Sequence, residues 1–133
     1  MQVNSIDHVN IVCADLDASA RFFAEVLGME RSDPPEPLSP DHIQWMLDTE
    51  GRPVVHLVCA ERPDSAERNS TPGAPTGAFH HVAFECGGFD AMIRRLESAA
   101  VPFRRSDVAG IGLRQIFVTD PGNVLLELNF RGD

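Results

Sequence analysis

With 133 residues, 43% of them hydrophobic and 23% charged, the chain has the bulk of one ordinary globular domain or of two small modules sharing a core. A formal net charge of −9 and the lack of any lysine-rich run argue against nucleic acid, which is bound through clustered Lys and Arg. No apolar run nears the ~18 residues of a membrane span, no basic-then-apolar leader opens the chain, and three cysteines without a Cys-x-x-Cys spacing cannot be fully paired, so a cytoplasmic protein with no membrane partner is expected.

Ile6 to Cys13, rich in Ile and Val, reads as a first strand. Asp15-Leu16-Asp17 then offers a helix cap, with Asp17 the preferred N-cap. Leu16, Ala20, Phe23 and Leu27 follow helical spacing, and Gly28 is a natural stop. Met29 to Asp33 suits a short strand, and Pro34, Pro35, Pro37 and Pro40 make a loop. Ile43 to Leu47 and Pro53 to Cys59 read as a hairpin turning at Asp48-Thr49-Glu50-Gly51. Residues 60–78 form a polar, proline- and glycine-bearing linker.

The pattern then begins again. Phe79 to Cys86 is a strand, and Phe89, Met92, Ile93, Leu96 and Ala100 make a helical stripe ending at Val101-Pro102. Phe103 opens a short strand, residues 106–112 form a glycine-bearing loop suited to a mobile lid, and Leu113 to Thr119 is a strand. Asp120-Pro121-Gly122-Asn123 makes a turn before a last strand, Val124 to Phe130. His8 and His81 stand 73 positions apart, as do Leu16 and Phe89, Asp17 and Asp90, Ala20 and Ile93, and Phe23 and Leu96; His56 and Glu127 stand 71 apart. The expectation is an α+β fold of two βαβββ modules, about 1–59 and 79–133, within a single domain.

Four metal-capable side chains fall at corresponding places in apolar strands: His8, His56, His81 and Glu127. Strand alternation puts each on the face opposite its hydrophobic neighbours. A glutamate between Leu126 and Leu128 is costly to bury alone, and a divalent cation would satisfy it together with three imidazoles. Cys13, Cys59 and Cys86 lie at odd separations from His8, His56 and His81, so each thiol belongs on the opposite face as a small buried hydrophobe. His80 is expected on the far face and His42 in a loop.

Ile6-Asp7-His8-Val9, Asp15 to Phe23, Val26-Leu27-Gly28-Met29, His81-Val82-Ala83-Phe84 and Asp120-Pro121 leading to Leu126-Glu127-Leu128 together resemble the vicinal-oxygen-chelate superfamily. It includes glyoxalase I, extradiol dioxygenases, methylmalonyl-CoA epimerase and the fosfomycin and bleomycin resistance proteins. The resemblance covers essentially the whole chain and implies paired modules forming a curled mixed sheet around a cleft, helices outside. It implies metal ligands His8 and His56 from the first module and His81 and Glu127 from the second, holding Zn, Ni, Co, Mn or Fe(II). Asn10, Gln115, Phe117 and Asn129 have the parity to line that cavity.

Glyoxalase-like members typically place Glu or Gln where this chain has His56. The extradiol dioxygenase signature places Tyr where Phe117 stands and a His shortly before it, and this chain has neither. The first reading is therefore a lyase or isomerase working through a metal-stabilised enediolate on a small vicinal-oxygen substrate, with Glu127 or His56 as base. The second is an iron(II) dioxygenase using His8, His81 and Glu127 with His56 as acid–base, and the third a non-enzymatic drug- or metabolite-binding protein. Relatives commonly dimerise, so a homodimer is expected, with the modules paired within one chain or swapped between two.

Overall fold

The computed structural model describes residues 1, 4, 6–61 and 80–132. The chain divides into two compact units, Met1–Pro72 and Gly73–Asp133. Most of the expected linker and the start of the strand expected from Phe79 lie outside the described residues. No helix among them is long and apolar enough to cross a membrane.

In the first unit β1 (Val9–Cys13) pairs parallel with β4 (Pro53–Cys59), which runs antiparallel to β3 (Ile43–Leu47), itself antiparallel to β2 (Glu30–Ser32). Parallel neighbours need a long crossover, and α1 (Leu16–Arg21) with the β2–β3 hairpin supplies it. Helix α1 packs on β3 and β4. Ala20, Phe23, Val26, Met46, Val55 and Leu57 fill the core, while alternate residues of β4 stay on the other face.

The α1 cap is Asp15, not Asp17. Asp15 has the extended backbone an N-cap needs (φ −127°, ψ 102°), and its carboxylate accepts from the Ala18 N–H at 3.0 Å. Asp17 is drawn away by two arginines, accepting from Arg31 at 2.8 Å and pairing with Arg21 at 2.9 Å. The Arg31 hydrogen bond, assisted by the charge of Arg21, holds its carboxyl below the usual aspartate range. Beyond Arg21 the helix widens into a π turn, Phe22–Val26, and Gly28 ends it at φ +79°. Buried Gln44 takes a hydrogen bond from Arg31 at 2.7 Å and donates to Asp33 at 2.9 Å and to the Pro40 carbonyl at 3.0 Å, tying the proline-rich loop to β3.

The second unit has the same plan: strand order β5 (Val82–Cys86), β8 (Leu125–Arg131), β7 (Leu113–Thr119), β6 (Arg104–Val108), with β5 and β8 parallel. Even the register repeats, since His56 lies across from Asn10 in the first sheet and Glu127 across from Ala83 in the second. Helix α2 (Phe89–Ser98) buries Phe89, Met92, Ile93 and Leu96. Ala100 does not extend that stripe; it is exposed at φ +54°.

The expected 106–112 lid is a correction. Ser106, Asp107 and Val108 pair with Gln115, Arg114 and Leu113 as part of β6, leaving only the turn Ala109–Ile111 and Gly112. An edge strand reading Arg-Arg-Ser-Asp-Val has no buried face to print an apolar period.

Asp120 closes the last turn. Its Oδ1 accepts from the Gly122 and Val124 N–H groups at 2.9 and 2.8 Å, while buried Oδ2 has no partner. Burial raises its pKa above 3.8, against the opposing effect of those two hydrogen bonds. A carboxyl with a raised folded pKa contributes stability that is complete below 3.8 and is lost as pH rises through the folded value. The stability difference between wild type and Asp120→Asn, from urea unfolding across pH 3–7, should therefore shift in favour of wild type as pH falls through the range above 3.8. A pH-independent difference would contradict this.

Candidate functional site

The first unit sets three aromatic rings in a stack. His56 lies opposite Trp45 on β3, their ring centroids 4.7 Å apart and planes 12° from parallel. His8 stacks against the other side of His56 at 3.8 Å and 15°. The first strand starts at Val9 rather than Ile6, so His8 sits just ahead of it, where its Nδ1 meets the Asp7 carboxylate at 2.7 Å. His56 Nε2 is buried and has no hydrogen-bond partner. An unmet buried polar atom costs about 1–3 kcal/mol. Burial, with a smaller contribution from the charge of His8, lowers the His56 pKa below 6.5, keeping the ring neutral with a ring nitrogen free to act as a Lewis base.

The second unit builds around a carboxylate. Glu127 lies on β8 between buried Leu126 and Leu128, with its side chain 14% exposed. Its Oε1 accepts from Gln115 and Asn129, both at 2.9 Å, and Gln115 also donates to the Asn129 oxygen at 3.0 Å. Its Oε2 meets His81 Nε2 at 3.1 Å. The two amides hold Oε1, and Oε2 is left to the His81 ring. Phe117 lies directly across from Glu127, with the Arg104 guanidinium 4.4 Å above its ring.

Sequence reasoning named His8, His56, His81, Glu127, Gln115 and Asn129, and the structure gathers them as two separate sets, one in each unit. Asn10 lies across from His56 on β1 and is exposed; Phe117 is half-buried. His80 is not remote as expected: its Nδ1 lies 2.7 Å from His81 Nδ1, because both residues precede β5 and strand alternation does not govern them. With His81 neutral, its Nε2–H donates to Glu127 and its Nδ1 accepts from His80. His80, Asp7 and Arg104 were missed as site neighbours. Direct adjacency to a candidate histidine was the available signal for the first two. His42 lies in the turn before β3.

Cys13 is buried, and burial pushes the Cys86 thiol up to about 11, so neither is a poised nucleophile. Among the described residues, no group of three or more His, Cys, Asp or Glu is placed to hold a metal ion. The donor types still suit a divalent ion: imidazoles, one with a bare buried nitrogen, and a carboxylate.

Residues 5–128 match the model of the Glyoxalase/Bleomycin resistance protein/Dioxygenase superfamily. Glyoxylase I 4 of Arabidopsis thaliana is 27% identical over 131 residues, covering 96% of this chain and 71% of the relative. The uncharacterised protein YwkD of Bacillus subtilis is 29% identical over 133 residues, covering 96% of this chain and 98% of its own. Among solved structures, a glyoxalase/dioxygenase from Nostoc punctiforme superposes with a TM-score of 0.71 at 17% identity, covering 99% of this chain and 100% of that one.

Trp45 is the chain's only tryptophan, so its fluorescence reports on the ring beside it. A protonated imidazole quenches indole emission, and a neutral one quenches far less. On acidification, emission should fall with a midpoint below 6.5, and His56→Gln should remove that step. A midpoint at or above 6.5 would contradict the burial of His56.

Proposed function

This chain belongs to the Glyoxalase/Bleomycin resistance protein/Dioxygenase superfamily, and from that membership we propose that it is a metal-dependent enzyme of the glyoxalase kind. Its substrate is a small molecule with two adjacent oxygens, and its reaction is a lyase or isomerase step. The observation that carries this reading is the bare, buried His56 Nε2, a nitrogen that pays a desolvation cost for no internal partner. The Arabidopsis relative named as a glyoxylase supports the assignment at the level of chemistry class.

His8, His56, His81 and Glu127 would hold the ion, which is Zn, Ni, Co, Mn or Fe(II). When bound, it supplies Lewis-acid polarisation of the substrate's two oxygens. The remaining work falls to the chain. Glu127 Oε2 accepts the proton from the carbon beside the carbonyl, while Gln115 and Asn129 fix the carboxylate by Oε1 so that Oε2 presents a defined lone pair. His56 Nε2, neutral and unpartnered, is the alternative base, a role open to it only when it is not holding the ion. Asn10 and Phe117 contact substrate. The working form is a cytoplasmic homodimer.

An iron(II) dioxygenase is the second reading, favoured by the same neutral His56 acting as acid–base. It lacks a tyrosine at Phe117. Oxygen uptake with a catechol would mark that reading, and tight ligand capture by metal-free protein would mark a binding protein.

Elemental analysis of freshly purified protein should find one divalent metal per chain. His81→Ala and Glu127→Ala should each lose metal affinity by more than the ~10–100-fold an outer partner is worth, with turnover of a vicinal-oxygen panel lost in parallel. Full activity in a metal-free variant would refute the reading.

A further inference from the structure

Arg104 is a cation without an ion pair to any described carboxylate, on a chain whose net charge is −9. Its neighbour Arg105 is engaged by Glu97 at 4.0 Å and by the Phe103 ring at 5.6 Å. Arg104 instead lies over Phe117, and Phe117 lies across from Glu127, so Arg104, Phe117 and Glu127 form one row on one face of three adjacent strands. The repeat supplies an internal control. In the first unit the matching row is Ser32, Trp45 and His56. The fold builds that row without an arginine, so the strand does not require one at Arg104.

We propose that Arg104 is a specificity-determining residue that binds a carboxylate on the substrate, set apart from the vicinal oxygens by a spacer. This rests on the reading of Glu127 as part of the reaction site. Two strand spacings put the backbones of Arg104 and Glu127 about 10 Å apart, so the anion belongs several bonds from the reacting carbon. A guanidinium whose carbon lies 4.4 Å over an aromatic ring is held near that ring by the cation–π contact. Its edge N–H groups remain available to grip a carboxylate through two parallel hydrogen bonds, a geometry lysine lacks. The substrate is accordingly an anionic vicinal-oxygen compound, such as a 2-oxo or 2-hydroxy acid with a second carboxylate.

The test uses two acids with the same head group, 2-oxoadipate and 2-oxohexanoate, which differ in the distal carboxylate. Binding is measured by calorimetry on the protein as purified, with metal content determined on the same samples. Wild type should bind 2-oxoadipate about tenfold or more tighter, as a charge-assisted hydrogen bond implies. Arg104→Met and Arg104→Gln should bring the ratio to about one while leaving 2-oxohexanoate affinity within about twofold, and Arg104→Lys should fall between. Equal affinity in wild type, binding of neither acid, or a preference that survives Arg104→Met would overturn the proposal. Absence of metal from the wild-type samples would instead count against the metal-dependent reading, so the two failures are distinguishable.

Discussion

A carboxylate flanked by two buried leucines has one place to go. Leu126 and Leu128 occupy the covered face of β8, so alternation drives Glu127 to the other face. The same constraint acts on His56 between Val55 and Leu57. The placement of Glu127 and His56 follows from this sorting. The apolar half fixes register, because a slip of one residue would exchange the leucines for the acid. The sheet cores therefore hold His56 and Glu127 in place as well as the fold.

Although the two units share strand order and register, they solve the polar face differently. The first covers His56 with flat rings and leaves one nitrogen unmet, which favours a neutral, electron-donating imidazole. The second surrounds Glu127 with amide donors. A duplicated scaffold thus presents an imidazole in one sheet and a carboxylate in the other at matching strand positions. Membership in a superfamily of several chemistries does not choose among them; the residues around these two bases must.

The fold was legible where one face of a strand is buried. Ile43–Leu47, Pro53–Cys59 and Leu113–Thr119 have the bounds their apolar patterns imply, and the βαβββ repeat is present in both sheets. Legibility failed where burial leaves no imprint. β6 is a polar edge strand whose second half, 106–108, read as a loop. The cap residue was decided by competition for Asp17 from Arg31, fourteen positions away and invisible to local spacing. At the site, parity found the residues within strands, but His80 and His8 precede their strands and are placed by contacts with their neighbours. Arg104 carried no signal of its own, since an exposed arginine on an edge strand is ordinary.

The proposed function makes metal binding depend on Glu127 as well as on the histidines. Cobalt(II) bound at His56 quenches Trp45, which stacks on that ring, while Glu127 belongs to the other unit. Titrating cobalt(II) into metal-free wild type should quench Trp45 with a sharp end point at one equivalent, and in Glu127→Ala the quench should need a far higher cobalt concentration. Identical titration curves for the two proteins would show that Glu127 takes no part in metal binding, and would contradict the proposed ligand set.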